Sequence, residues 1–175
     1  MPPPLLRTVL QRGCPTVSWT GRLVIMALLL TSADQALAGS TGKSSEEGLV
    51  SVTTPQGSTI LAEVADTTEK RARGLMFREA LAKNHGMLFT FPEPQQWTFW
   101  MKNTKIALDI IWLDRSKKIV HVERNVQGCS RTDDGCPQYQ PNDEALYVLE
   151  VAAGVADALH LQRGAKLQFQ LPQPR

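Results

Sequence analysis

The sequence has 175 residues, a length that suits one domain. It carries 19 basic and 17 acidic residues, but three of the arginines and one of the aspartates lie within residues 1–38. The rest of the chain is therefore formally neutral, with 16 residues of each sign. A neutral domain has no bulk electrostatic attraction for nucleic acid or for an anionic membrane surface, which argues against both kinds of partner.

Residues 1–38 have the pattern of a cleavable signal peptide. Three arginines precede a short apolar run at residues 23–30, and a triplet with alanine at both ends follows at residues 36–38. A membrane anchor is the alternative, but this run is shorter than the roughly 20 residues that span a bilayer. We therefore predict export to the periplasm or the extracellular space. A flexible lead-in at residues 39–48 would precede a single domain at residues 49–172.

The pattern that follows predicts mostly strands. Leu49–Thr54 and Thr59–Ala65 flank a turn-forming Pro-Gln-Gly-Ser segment, which indicates a hairpin. Asp66 and Glu69 stand at capping-box spacing, so a helix of about two turns is predicted from there to Gly74. Further strands are predicted at residues 86–91, 96–102, 106–113, 118–126, 145–151 and 166–171, and a second short helix at residues 153–161.

These elements favour a mainly β fold. The only clear strand–helix–strand unit in the pattern lies near the end of the chain. Parallel doubly wound sheets need such units repeatedly, so the pattern argues against that architecture. We predict a compact, antiparallel-dominated β-barrel or sandwich with one or two short helices.

Asp109 lies inside the predicted strand at residues 106–113, which is apolar on both faces and therefore predicted to be central or covered. An ionised carboxylate there costs several kcal/mol unless it is paired and hydrogen-bonded. The candidate partners are the cations Arg73, Arg78 and Lys102. The pattern allows either a structural ion pair or the acid of an active or binding site. Glu150, in another apolar strand, is a weaker case of the same anomaly.

Two further segments contain candidate ligand-binding residues. Arg73 and Arg78 lie around the predicted helix end, where they either bind a carboxylate or phosphate or simply face solvent. Trp100, Lys102 and Asn103 follow in the next segment. They either line a pocket with an apolar floor and a polar lip or belong to core and turn.

Cys129 and Cys136 are the two cysteines beyond the leader. In an exported protein such a pair most simply forms a disulfide, which for this short loop contributes roughly 2.5 kcal/mol. The alternatives are a metal site shared with His121 and a redox-active pair, and the absence of C-x-x-C spacing counts against both. The histidines show no ligand spacing, so neither a metal nor a cofactor is predicted.

Five segments occur in one order: Arg73–Arg78 (RGLMFR), Gly86–Phe89 (GMLF), Phe99–Thr104 (FWMKNT), Leu108–Ile111 (LDII) and Val148–Gly154 (VLEVAAG). Together they resemble the domain of unknown function 192 family over about residues 49–170. The resemblance implies a compact, mostly β domain, often behind a signal sequence, and it implies no reaction. The family's hallmark positions fall here on Arg73, Gly74, Met76, Arg78, Trp100, Met101, Asn103, Thr104 and Asp109. Ala107 stands where the family commonly has proline, which loosens the turn into the strand.

Three functions compete on these grounds. The first is an exported domain that binds a small polar or anionic ligand through Arg73, Arg78, Trp100, Lys102, Asn103 and Asp109. The second is a hydrolase that uses Asp109 as acid or base, with Arg73 or Lys102 stabilising the developing anion. The third is an accessory protein that binds a protein partner through an exposed apolar patch, with Trp112 and the loop Pro92–Trp97 as contacts.

Overall fold

The computed structural model describes residues 48–131 and 133–172 of the chain. The predicted signal peptide and residues 39–47 of the predicted lead-in lie outside the described residues. The elements in chain order are β1 (Leu49–Thr53), β2 (Thr59–Ala65), α1 (Thr68–Arg73), β3 (His85–Gln95), β4 (Phe99–Trp100), β5 (Leu108–Leu113), β6 (Ile119–Val126), β7 (Gln138–Tyr139), β8 (Ala145–Ala152) and α2 (Val155–Ala158). None of the helices in the described ranges is long and apolar enough to cross a bilayer.

Six of the strands form one sheet in the order β1-β2-β3-β8-β5-β6, and β4 pairs with β7 in a separate small sheet. Among the described strands only β2 and β3 pair in parallel, and α1 connects them; the other strand pairs are antiparallel. The prediction of a mainly β, antiparallel-dominated domain with two short helices is thereby confirmed. The strand–helix–strand unit that forms the parallel pair lies near the beginning of the domain and was missed, because helix α1 was not expected to connect neighbouring strands.

The six-stranded sheet does not close, so the barrel alternative is wrong, whereas a sandwich-like arrangement is compatible. The predicted strand at residues 166–171 is not a strand either. Gln168 forms an isolated bridge with Thr53 of β1, and Lys166 forms another with Lys118 beside β6. The segment contacts the β1 edge and the β6 edge of the sheet at one point each, so it forms a continuous hydrogen-bond ladder with neither strand.

The hairpin of β1 and β2 is confirmed, with Leu49 opposite Glu63 and Thr53 opposite Thr59. The cap of α1 differs from the prediction by one residue. The side chain of Thr67 accepts a hydrogen bond from the backbone N–H of Lys70 at 3.3 Å, whereas Asp66 forms an ion pair with the Lys70 side chain at 2.7 Å. Both residues carry a side-chain oxygen that suits a cap, so the sequence pattern alone does not choose between them.

Strand β3 continues through Pro92 and Pro94, where the sequence predicted its end. The register between β3 and β8 shifts between Thr90 and Gln95. Proline has no N–H for a ladder hydrogen bond, and it is tolerated at such an irregularity. Phe91, the last residue of the predicted strand, lines the cavity described below.

The sheet has a hydrophobic core on each face. We call the core that contains Val155 and Ala156 the α2 face, and the core that contains Cys129 and Cys136 the disulfide face. Successive residues of β5 contribute to the two faces alternately, and all six are buried, as the two-sided apolar pattern predicted.

Trp112 of β5 is fully buried on the disulfide face, and its indole N–H donates to the backbone oxygen of Trp97 at 2.9 Å. The hypothesis that Trp112 contacts a protein partner is therefore wrong, because this side chain has no surface to offer. Its large apolar area is used instead in the core.

Candidate functional site

A cavity of about 360 Å³ opens on the disulfide face, between α1 and the sheet. Residues 74–76 after α1 form one wall. The aromatic side chains that line it are Phe89, Phe91, Trp97, Phe99 and Trp100. Glu150 of β8 is the only carboxylic acid among the lining residues, and we refer to the whole as the aromatic cavity.

Ring-to-ring contacts fix the aromatic walls. Phe91 stacks on Trp97 with centroids 4.0 Å apart, and Phe89 meets Phe99 edge to face at 4.9 Å. Phe99 in turn meets the buried ring of Trp112 at 5.9 Å. Such contacts hold each ring in one orientation, so the cavity is largely formed in advance of any ligand.

Glu150 lies in the register of the central strands, opposite Met87 of β3 and Ile110 of β5. The residue is only 5% exposed, and no hydrogen bond joins its carboxyl group to a described residue. Its oxygens are not fully enclosed, so they retain access to the space of the cavity. Burial among apolar side chains disfavours the charged form and raises the pKa of Glu150 to about 8. The carboxyl group is therefore mostly neutral at pH 7 in the empty cavity.

Two arginines of α1 line the cavity in different ways. Arg71 donates hydrogen bonds to the backbone oxygens of Asp66 and Thr90 at 2.8 and 3.0 Å, which ties α1 to β3. Arg73 is exposed at the mouth of the cavity and forms no ion pair with any described residue. Of the cations predicted to bind a ligand, Arg73 is the one positioned to do so.

Arg78 forms a bidentate pair with a carboxylate, as expected for a ligand contact, but this carboxylate belongs to the protein itself. Its guanidinium donates to both oxygens of Glu63 at 2.6 and 2.7 Å, and these hydrogen bonds hold the pKa of Glu63 below its usual value. Lys102 forms an ion pair with Asp134 and also lies over the ring of Trp100 at 5.1 Å. Both cations therefore have partners within the domain.

Asn103 shapes the turn beside the cavity. It has a left-handed backbone with φ of 56°, and its backbone oxygen accepts from the N–H of Phe77 at 2.8 Å. Its side-chain amide lies 3.9 Å from the sulfur of Met76, a lining residue. Asn103 thus positions the wall, which is a structural explanation for a residue that the sequence placed in the pocket.

Asp109 is 1% exposed, as its apolar neighbours predicted, but it lies on the α2 face. Its two carboxyl oxygens accept from the backbone N–H groups of Asn125 and Ala156, each at 2.8 Å. The expectation of a guanidinium or ammonium partner is therefore wrong, because two backbone donors satisfy the carboxylate. The sheet separates Asp109 from the cavity, so a hydrolase that joins it to Arg73 or Lys102 has no geometric basis.

Cys129 and Cys136 form the predicted disulfide, with their Cα atoms 6.0 Å apart. The backbone N–H of Cys129 donates to the oxygens of Met101 and Thr104, which fastens the disulfide loop to the segment that follows β4. Strand β7 then pairs with β4, whose two residues both line the cavity. The strand predicted at residues 96–102 is thus reduced to the two residues of β4, and the sequence pattern predicted no strand at β7, since a two-residue strand has no readable alternation.

Two other hollows of the described surface contain no buried carboxyl group without a hydrogen-bond partner. One of about 500 Å³ lies along residues 166–170, where Lys117 donates to the backbone oxygen of Phe169 at 2.5 Å. A wider cleft of about 990 Å³ contains the Arg78–Glu63 pair. Within the described ranges, no group of three His, Cys, Asp or Glu side chains comes together as a metal site would require.

The fold places this chain in a class of mainly β, antiparallel-dominated proteins, and the ordered motifs define a family within it. It belongs to the domain of unknown function 192 (DUF192) family, described as uncharacterized ACR, whose profile matches residues 50–169. The resemblance drawn from the motifs is thereby confirmed.

Relatives and solved structures agree with this membership. UPF0127 proteins of Thermococcus gammatolerans and Thermococcus sibiricus are each 27% identical over 118 residues, covering 65% of this chain and 69% and 68% of the relatives. A crystal structure of a protein of unknown function from Novosphingobium aromaticivorans has 33% identity and a TM-score of 0.60, covering 69% of this chain and 83% of that one. A protein from Sinorhizobium meliloti, described as a candidate transcription regulator, has 31% identity and a TM-score of 0.61, covering 69% and 92%.

Proposed function

We propose that this domain binds a small polar organic ligand in the aromatic cavity, with an anionic group of the ligand at Arg73. The observation that carries the proposal is the buried carboxyl group of Glu150, which faces this cavity without a hydrogen-bond partner among the described residues. A concave, mostly apolar pocket with a few polar groups and a perturbed pKa is the usual form of a small-molecule site.

The proposal keeps two of the six ligand-binding residues expected from the sequence and adds a third. Arg73 and Trp100 line the cavity, and Glu150 replaces Asp109 as the acid of the site. The remaining three have roles within the domain: Arg78, Lys102 and Asn103. The proposed site therefore contains fewer charged residues and more apolar residues than the site predicted from the sequence.

Thermal-shift screening tests the proposal. Sugars, organic acids, amino acids and phosphates are added singly to the purified protein. We expect at least one compound to raise the melting temperature of the wild type, because a ligand that binds only the folded state stabilises it. The shift should be lost in Arg73→Ala and in Trp100→Ala, since both residues line the mouth.

Arg115→Ala is the matched control, because Arg115 is exposed in the turn between β5 and β6 and does not line the cavity. It should keep the shift of the wild type. A screen in which every compound shifts wild type and both cavity variants equally would leave the proposed site without support.

We also propose that the domain works outside the cytoplasm, after removal of residues 1–38. The disulfide supports this, because such bonds persist in oxidising compartments. Intact-mass measurement of the protein recovered from the producing cells should show a chain that lacks the leader. After thiol blocking, treatment with reductant should release two further thiols. A full-length chain, or two thiols already free before reduction, would contradict export.

A further inference from the structure

We propose that the ligand of the aromatic cavity is a small zwitterion, whose ammonium group lies against Glu150 among the aromatic rings and whose acidic group lies at Arg73. This inference rests on the proposed function and names the class of ligand. It follows from three features of the cavity: its carboxyl group, its ring faces and the charge at its mouth.

The carboxyl group of Glu150 lacks a counter-charge. Arg71 of α1 is occupied by two backbone oxygens, and the two strands beside Glu150 present Met87 and Ile110 at its register. A hydroxyl or amide side chain would serve a neutral ligand equally well. Only a carboxylate supplies negative charge, and a buried one becomes favourable when a cation pairs with it.

The aromatic walls favour the same kind of ligand. The faces of aromatic rings attract cations, and this cluster already holds two cations of the protein. Arg71 lies 5.5 Å from the ring centroid of Phe91, and Lys102 lies 5.1 Å from that of Trp100. An ammonium group inside the cavity would therefore lie among aromatic side chains of a cluster that already holds cations, together with the carboxyl group of Glu150.

Arg73 makes a simple amine an incomplete match. It is exposed at the mouth and has no acidic partner among the described residues. An amine without an acid leaves this guanidinium unused, and an acid without an amine leaves Glu150 unpaired. A molecule that carries both charges satisfies both ends of the cavity at once.

Binding of such a ligand has a proton balance that ligands without a cationic group lack. Glu150 is neutral in the empty cavity because burial raises its pKa to about 8. To pair with an ammonium group it must ionise, so its proton passes to solvent as the ligand enters. At pH 7 we therefore expect release of close to one proton for each zwitterion bound.

Isothermal titration calorimetry in two buffers of different ionisation enthalpy measures this release. The probes are two matched pairs in which carbon replaces the cationic nitrogen: glycine betaine with 3,3-dimethylbutanoate, and 4-aminobutyrate with pentanoate. We expect at least one zwitterion to bind ten times more tightly than its carbon analogue, with proton release seen only for the zwitterion.

Two variants test separately the contacts with the ammonium group and with the acidic group of the ligand. Glu150→Gln should weaken the zwitterion at least tenfold and leave the carbon analogue unchanged, whereas Arg73→Gln should weaken both members of a pair. Glu144→Gln and Arg115→Gln change exposed side chains away from the cavity and should leave all affinities as in the wild type.

The outcomes separate this inference from the proposed function. Carbon analogues that bind as tightly as the zwitterions, without proton release, would overturn the zwitterion and leave a small-molecule site standing. Failure of all four probes, while other screened compounds stabilise the protein through Arg73 and Trp100, would do the same. If no compound of either experiment binds, both proposals fall.

Discussion

Replacing Asp109 by alanine is expected to lower the free energy of unfolding by about 3–5 kcal/mol. The change removes the acceptor of two backbone N–H groups, those of Asn125 and Ala156. Both then remain at a site where the side chain was 1% exposed, so water replaces the lost bonds poorly. Urea unfolding followed by circular dichroism measures the difference.

The free energy of unfolding of Asp109→Asn should lie between those of the wild type and Asp109→Ala. Its single side-chain oxygen can accept from one of the two N–H groups, but its amide nitrogen then faces the other donor. Asp157→Asn is the matched control, because Asp157 belongs to α2 and has an exposed carboxylate that pairs with Arg124. That change should cost less than about 1 kcal/mol. A loss at Asp109→Ala no larger than the control's would refute the structural role assigned here.

The second large effect concerns pH and Glu150. In the unfolded chain its pKa returns to about 4.5, whereas in the folded protein it is about 8. Between these values the folded state holds one proton more than the unfolded state. The free energy of unfolding should therefore fall as pH rises from about 5 to 8, by up to about 1.4 kcal/mol per pH unit, and level off above pH 8.

Three acids with lowered pKa values affect stability at lower pH than Glu150 does. Glu63, Asp66 and Asp114 have pKa values below their ordinary ones, so their contribution to stability is lost as pH falls into the acid range. The charged residues that line the cavity with Glu150 are Arg71 and Arg73.

Urea unfolding at intervals from pH 5 to 9 tests the effect of Glu150. Glu150→Gln removes the titrating group and keeps its size, so the slope between pH 5 and 8 should flatten and the variant should exceed the wild type in stability at pH 8. Glu144→Gln, which changes an exposed acid just before β8, should retain the slope. Parallel curves for wild type and Glu150→Gln would show that this carboxyl group is not held neutral by burial.

Local patterns predicted the parts of the fold that depend on local chemistry. The turn residues between β1 and β2 indicated the hairpin, and the two-sided apolar run around Ile110 indicated a covered strand. They did not predict which elements meet. The same pattern, an acid in an apolar strand, occurs at Asp109 and Glu150. Asp109 accepts hydrogen bonds from backbone N–H groups, one of them in α2, whereas Glu150 lines a cavity.

That difference arises from tertiary contacts, which cannot be predicted from the spacing of residues along the sequence. The partners of Asp109 are main-chain groups, which every sequence contains, so side-chain types alone suggested cations instead. The sequence left Arg78 open between a ligand's carboxylate or phosphate, a pair with Asp109 and solvent, and its partner is instead Glu63 of β2, fifteen residues away in sequence. The candidate site was therefore predictable as a set of segments and not as a set of contacts.

The segment that contains Lys166 and Gln168 has a consequence for self-association. Unpaired strands at the margins of a sheet invite pairing with a second copy, which is a common origin of aggregates. Here one short stretch occupies part of both margins, through Thr53 on one side and Lys118 on the other. A substitution that detached this segment would expose the backbone of both edge strands at once. These few residues therefore protect both edges of the sheet against pairing with another copy.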